Sequence, residues 1–438
     1  MWLYRAMPVI STVACHSYYR IRVDGARVPK VGPVLLVANH TNSLIDPAMM
    51  VVAAERTVRF LAKAPLFNHP LIGWLVRAVG SVPVYRGADD PKLVSQNFES
   101  FRDVHAALAE GYAIAIFPEG TSHSASQLQP LKTGAARIAL GAAEQTGRAF
   151  PIVPLGLVFR DRRTFRSSAR VVIGASCAWD DLARCGPRDK EAVRELMRRI
   201  EASMRDVTLN LHDWSDAQLV NCAEQIWTAE FGADAAAAPQ MLRLRLATEA
   251  LGRLRLGADT GWRTLARELR AHDRVLQRLG LTPVTLMARP SPSDAFRWVL
   301  RRLPLLVLFP LAVLGAALFW IPRECTAWLA GRAARSEGED TVPTFRVLYG
   351  VVVFALWFLA LAVTASFLLG PLGGTLVFLS LPLIAFGALF VSESRRLSWV
   401  ALRRFFVLRS HRERVAKLRI RQRALAGRLR TLFERTEA

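Results

Sequence analysis

Between Leu303 and Val391 the chain carries three long stretches without a single Asp, Glu, Lys or Arg. Leu303–Ile321 holds 19 residues, Val347–Leu369 holds 23 and Thr375–Val391 holds 17, the last two parted only by Gly370-Pro371-Leu372-Gly373-Gly374. A bilayer-spanning helix needs about 20 apolar residues, so the first two are long enough and the third is short. The apolar sequence is concentrated there, which predicts a soluble front and a membrane-embedded back, and a length of 438 residues predicts two or three units in all.

Charge is also unevenly placed. The chain has a net charge of +22, and residues 395–438 alone hold 14 Lys and Arg against 3 acidic residues. A basic tail directly after apolar stretches favours an anionic lipid membrane over nucleic acid, and neither zinc-finger spacing nor an aromatic-rich RNA-binding signature is present. The five cysteines, Cys15, Cys177, Cys185, Cys222 and Cys325, are scattered and form no C-x-x-C pair, which suits a reducing compartment. No secretory signal peptide is evident; residues 1–15 read as an amphipathic or buried helix. The expected topology is a hairpin over 347–391 with both ends cytoplasmic, loop 323–346 and the basic tail included. Leu303–Ile321, with Pro304, Pro310 and the closing Pro322, is then a broken, re-entrant or interfacial element.

The front half alternates short apolar runs with helical periods. Val34–Ala38, Val58–Ala62, Tyr112–Phe117, Ile152–Val158 and Ala169–Ile173 read as strands. Phe98, Phe101, Val104 and Leu108 recur at helical spacing with Gly111 as the stop, and Leu131–Thr146 is an alanine-rich helix. The fold class is therefore α/β: a mixed sheet with flanking helices over 1–185, a helical region over 186–298, membrane-embedded segments over 299–394 and a basic helical tail over 395–438.

Four short motifs lie at or near strand ends, where α/β proteins place ligands. They are Asn39-His40-Thr41-Asn42-Ser43-Leu44-Ile45-Asp46-Pro47, Gly80-Ser81-Val82-Pro83-Val84-Tyr85-Arg86, Phe117-Pro118-Glu119-Gly120-Thr121-Ser122 and Pro151-Ile152-Val153-Pro154-Leu155-Gly156. His40 can take a proton from an alcohol, and Asp46 can hold the imidazole in one tautomer. No G-x-S-x-G elbow occurs, which disfavours an acyl-enzyme hydrolase. Arg86 can grip a phosphate through its planar fork, and the amides around Glu119 and Gly120 can form an anion nest. Each motif has a plainer reading: a polar helix cap, a solvated arginine, an ordinary turn, a surface Lys132, a structural Pro154. His123 beside Glu119 hints at a metal, but no further ligands accompany it.

Taken together and in order, the motifs resemble the phospholipid/glycerol acyltransferase superfamily over residues 18–175. The resemblance implies an O-acyltransferase using acyl-CoA or acyl-carrier protein and a phosphorylated glycerol-type acceptor, with no cofactor and no metal. It implies His40 and Asp46 as the catalytic dyad. Gly80, Arg86, Glu119 and Gly120 would bind the acceptor, Lys132 would assist, and Pro154 would belong to the acyl-donor motif. Two departures stand out: five residues separate His40 from Asp46 where four are usual, as in fungal glycerol-3-phosphate/dihydroxyacetone-phosphate acyltransferases, and Ser122 stands where an arginine is common. Pairing across the longer spacing requires one residue to loop out. The competing readings are a lysophospholipid-remodelling acyltransferase and a non-catalytic membrane lipid-binding or scaffold protein.

Overall fold

The computed structural model describes residues 2–68, 73–85, 97–237, 240–256, 261–289, 291–307 and 309–437. Arg86 lies outside the described residues. Two compact units divide the chain: residues 1–212 with 334–347, and residues 213–333 with 348–438.

The first unit is built on a seven-stranded sheet. Its strands are β1 (Arg20–Gly25), β2 (Val34–Ala38), β3 (Val58–Lys63), β4 (Val82–Val84), β5 (Ala113–Ile116), β6 (Ile152–Phe159) and β7 (Ser168–Ile173), in the order β1-β7-β6-β2-β5-β3-β4. Among the strand pairs of the described residues β6–β7 is antiparallel and the others are parallel, so the sheet is mixed, as its sequence predicts. The apolar runs of β2 and β5 are fully buried because helices cover both faces of a parallel sheet. One face carries α1 (Trp2–Tyr18) and α2 (Ile45–Ala54), including Met49 and Met50; the other carries α4 (Asn97–Ala109), α5 (Gly134–Thr146) and α6 (Lys190–Val207). The short α3 (Gly73–Ala78) leads into β4.

The helix α6 changes the expected boundary at residue 185. Its apolar stripe Val193, Leu196, Met197, Ile200 and Met204 is buried in the core with Leu35, Val37 and Ile138, so it belongs to the sheet domain. Asp189 caps it by accepting from the amides of Glu191 and Ala192. Gly156 allows this packing, since a Cβ there would fall on the carbonyl of Val207 at the end of α6. The segment 334–347 also joins this unit, with Thr344 and Phe345 each 3% exposed.

The second unit is helical: α7 (Ser215–Ala237), α8 (Gln240–Leu256), α9 (Gly261–Leu279), the one-turn α10 (Pro283–Leu286), α11 (Pro292–Val307), α12 (Phe309–Leu318), most of α13 (Trp320–Glu337), most of α14 (Val342–Ser410) and α15 (Arg412–Glu437). Leu219, Ile226, Leu265, Leu269 and Leu425 join α7, α9 and α15. The stretch Leu303–Ile321 is divided among α11, α12 and α13. Pro310 and Pro322 sit in the first turns of α12 and α13, where a missing amide hydrogen costs no helical bond. The helix α14 is interrupted at Gly370 (φ 79°, ψ 170°), and beyond it Gly374 lies against Ala362 and Ser366, so the chain doubles back. Across the fold, Trp357 Nε1 donates to Leu318 O at 2.9 Å. Among the described residues α14 is the one helix long and apolar enough to cross a membrane, with a mean hydropathy of 2.5 and 6% burial in its most apolar window.

Candidate active site

The site grows from the end of β2. Asn39 extends the sheet through its side chain: Nδ2 donates to Leu157 O at 3.0 Å and Oδ1 accepts from Leu157 N at 2.7 Å. This ties the start of the first motif to β6 and fixes where the next residue leaves the strand. His40 then stacks on Phe117, with ring centroids 4.0 Å apart and planes 14° apart. Its Nδ1 donates to Asp46 Oδ2 at 3.0 Å.

The extra residue between His40 and Asp46 is absorbed in a turn. Ser43 adopts φ 38°, and the Ile45 amide closes the turn on Asn42 O at 3.0 Å. Asp46 is the second residue of α2, and its Oδ2 also accepts the amides of Thr41 and Asn42 at 2.6 Å each. A carboxylate at a helix N-terminus that receives three donors is held in place and stays an acceptor. Asp46 is fully buried, whereas the His40 side chain is 18% exposed. With Nδ1 engaged, Nε2 is the nitrogen left for an incoming hydroxyl.

The third motif is stitched to the first. Glu119, 3% exposed, accepts the His40 amide on Oε1 at 3.1 Å, while its Oε2 accepts from Gln129 N at 3.4 Å and pairs with His123 Nε2. The His123 amide donates to His40 O at 3.0 Å. Burial raises the Glu119 carboxyl to about 7 and lowers His123, which also feels the charges of His40 and Arg162. Both partners are pushed toward their neutral forms. Glu119 therefore works as a buried joint between the two loops. The His123 ring is held on both sides, its Nε2 by the Glu119 carboxyl and its Nδ1 by the Ala125 amide, which donates to it at 3.2 Å.

Gly120 and Lys132 are brought together in an unexpected way. The Gly120 amide is spent on Phe117 O at 3.0 Å, so it is not a free anion donor. What matters is its φ of 77° and its bare Cα, across which the Lys132 side chain lies; a Cβ would stand 2.7 Å from Nζ. Lys132 is exposed, with its own amide anchored to Pro118 O at 2.8 Å. Gly80 ends α3, its amide donating to Arg77 O at 3.0 Å, and stands outside the hydrogen-bond network of the dyad. Pro154 is buried mid-strand in β6, in register with Val37, and packs beside Gly174.

Sequence reasoning missed Arg162. On the connection between β6 and β7, its Nη1 donates to the carbonyls of Thr41 and His123, bridging the first and third motifs. Tyr19 OH holds the Arg162 carbonyl at 2.6 Å, and Asn42 Nδ2 donates to that same hydroxyl at 3.0 Å. No motif marks these residues; they meet only through the sheet. Burial pushes the Cys15 thiol, which feels Asp46, up to about 12, which disqualifies it as a neutral-pH nucleophile.

A histidine oriented by a buried aspartate at the carboxyl end of a central strand has the geometry that general-base chemistry on a hydroxyl requires. Residues 20–158 match the family model described as acyltransferase. Glycerol-3-phosphate O-acyltransferase 1 of Saccharomyces cerevisiae is 26% identical over 528 residues, covering 94% of this chain and 68% of its own length. An uncharacterized acyltransferase of Schizosaccharomyces pombe is 20% identical over 448 residues, covering 78% of this chain and 65% of its own. The lyso-ornithine lipid O-acyltransferase of Pseudomonas aeruginosa is 32% identical over 111 residues, 25% of this chain and 39% of its own. The chain thus spans about two thirds or less of the length of these relatives.

Proposed function

We propose that the protein moves a fatty acyl group from a thioester donor, acyl-CoA or acyl-carrier protein, to a hydroxyl of glycerol 3-phosphate, dihydroxyacetone phosphate or lysophosphatidate. The observation that carries this reading is the 3.0 Å His40–Asp46 pair inside an acyltransferase domain. His40 Nε2 takes the acceptor's proton as its oxygen attacks the thioester carbonyl. The carbon–sulfur bond then breaks, and the imidazolium returns the proton to the departing thiolate. Asp46, which accepts from His40 Nδ1, stabilises the imidazolium. Lys132 meets the acceptor's phosphate, with Arg86 as a second cation after β4. The two apolar halves of α14, folded back at Gly370, cross a membrane as a hairpin, and the basic tail faces anionic lipid on the cytoplasmic side.

The test is acyl transfer from labelled acyl-CoA and acyl-carrier protein to a panel of glycerol 3-phosphate, dihydroxyacetone phosphate, lysophosphatidate and a lyso-lipid without phosphate. The phosphorylated acceptors are expected to be used, and His40→Ala is expected to lower turnover by about two to four orders of magnitude. Wild-type turnover in His40→Ala would refute the reading.

A further inference from the structure

Residues 334–347 return to the catalytic unit after the whole of 213–333 has intervened, and they dock against the two loops that make the site. Leu44 opens α2 without a side-chain cap of its own. Its amide donates instead to Thr344 Oγ1 at 3.2 Å. Leu44 directly follows Ser43, the residue that takes up the long His40–Asp46 spacing. On the other loop, Ser122 Oγ donates to Asp340 Oδ2 at 2.6 Å. Arg346 donates to the Arg163 carbonyl, next to the Arg162 bridge, and to Tyr18 OH at 3.4 Å. The segment is built in: Thr341 is 7% and Thr344 3% exposed, and Val347 packs on the sheet core.

We propose that Thr344 and Asp340 are positioning residues for the His40–Asp46 dyad. Thr344 holds the turn that the fifth intervening residue creates, and Asp340 holds the third-motif loop at Ser122. The general base is then in register only while the first turn of α14 and the residues just before it are docked. The argument rests on the acyl-transfer reading above. A helix N-terminus leaves amides unpaired, so an outside acceptor at Leu44 supplies what the local sequence lacks. A displacement of about 1 Å at a reacting group costs on the order of a hundredfold in rate, so a modest hydrogen bond here is worth more to turnover than to stability.

The experiment uses the full chain in detergent micelles and compares Thr344→Val, Thr344→Ser and Asp340→Asn by kinetics and by hydrogen–deuterium exchange. Thr344→Val is expected to lower kcat about tenfold, leave both KM values within about twofold and speed exchange in residues 41–46. Thr344→Ser keeps the hydroxyl and restores both readouts. Asp340→Asn gives a smaller kcat loss and faster exchange in residues 119–123. Wild-type kcat with wild-type exchange in Thr344→Val overturns the proposal, as does a Thr344→Ser variant as impaired as Thr344→Val. If the unaltered chain transfers no acyl group at all, the functional reading falls, while exchange still decides whether Thr344 holds the turn.

Discussion

The strand β2 and the helix α14 are both uninterrupted apolar runs, and they end in opposite surroundings. Val34–Ala38 is entirely buried, whereas Phe367, Leu368 and Leu369 of α14 are 87, 77 and 70% exposed. Composition alone does not separate them. Length does: a five-residue run is satisfied by its neighbours in a sheet, while some twenty residues of helix present more apolar surface than two units of this size can cover. That uncovered apolar surface is what the proposed membrane hairpin accounts for.

A charge placed in each run breaks this comparison most forcefully. Leu36→Asp puts a carboxylate among fully buried side chains, and its cost of several kcal/mol rivals the whole stability of a domain, so no folded catalytic unit is expected by circular dichroism or limited proteolysis. Leu359→Arg, at a position 54% exposed on α14, is expected to leave that unit folded and to cost about 3 kcal/mol of membrane insertion, read as loss from the membrane fraction. Equal damage to folding from both would contradict the division. The smallest effect sharpens the comparison from inside the sheet domain. The Glu119 carboxyl lies near 7 against an ordinary value of 4.5, so the folded state keeps a proton that the unfolded chain releases. Its stabilising share is full below about 4.5 and is lost as pH rises through 7. Relative to Glu119→Gln, the unaltered protein is expected to lose at most about 3 kcal/mol between pH 5 and 8, measured from urea midpoints. A parallel pH course in the two would show that Glu119 is not held protonated.

Much of the sheet domain is legible in the sequence because its signals are local. Val34–Ala38, Val58–Ala62 and Ile152–Val158 announce themselves as apolar runs, and the structure places strands there with ends shifted by no more than a residue. The pairing of His40 with Asp46 is legible because both residues lie in one short motif. Other features were hidden for a physical reason. The edge strand β1 is half exposed and pairs with β7 well over a hundred residues away, so no apolar run marks it. An amphipathic helix such as α6 does not say which core it faces, and the division at residue 185 therefore fell short. Arg162, Thr344 and Asp340 reach distant loops through one or two hydrogen bonds each, which leave no periodicity to read. The burial of Glu119 between two loops is not legible, since it follows from the way β5 and β2 sit side by side.

The split composition of the catalytic unit has a consequence for how the protein is made. Its final piece, 334–347, leaves the ribosome only after 213–333. At about 5–20 residues per second, the sheet waits on the order of ten seconds for that piece. By then the apolar sequence that begins at Leu303 is already being delivered. A newborn chain thus carries His40 and Asp46 long before it carries Thr344, the hydroxyl that accepts the Leu44 amide between them. On the reading proposed above, the order of synthesis sets the order of assembly, with the site finished only as the apolar half arrives.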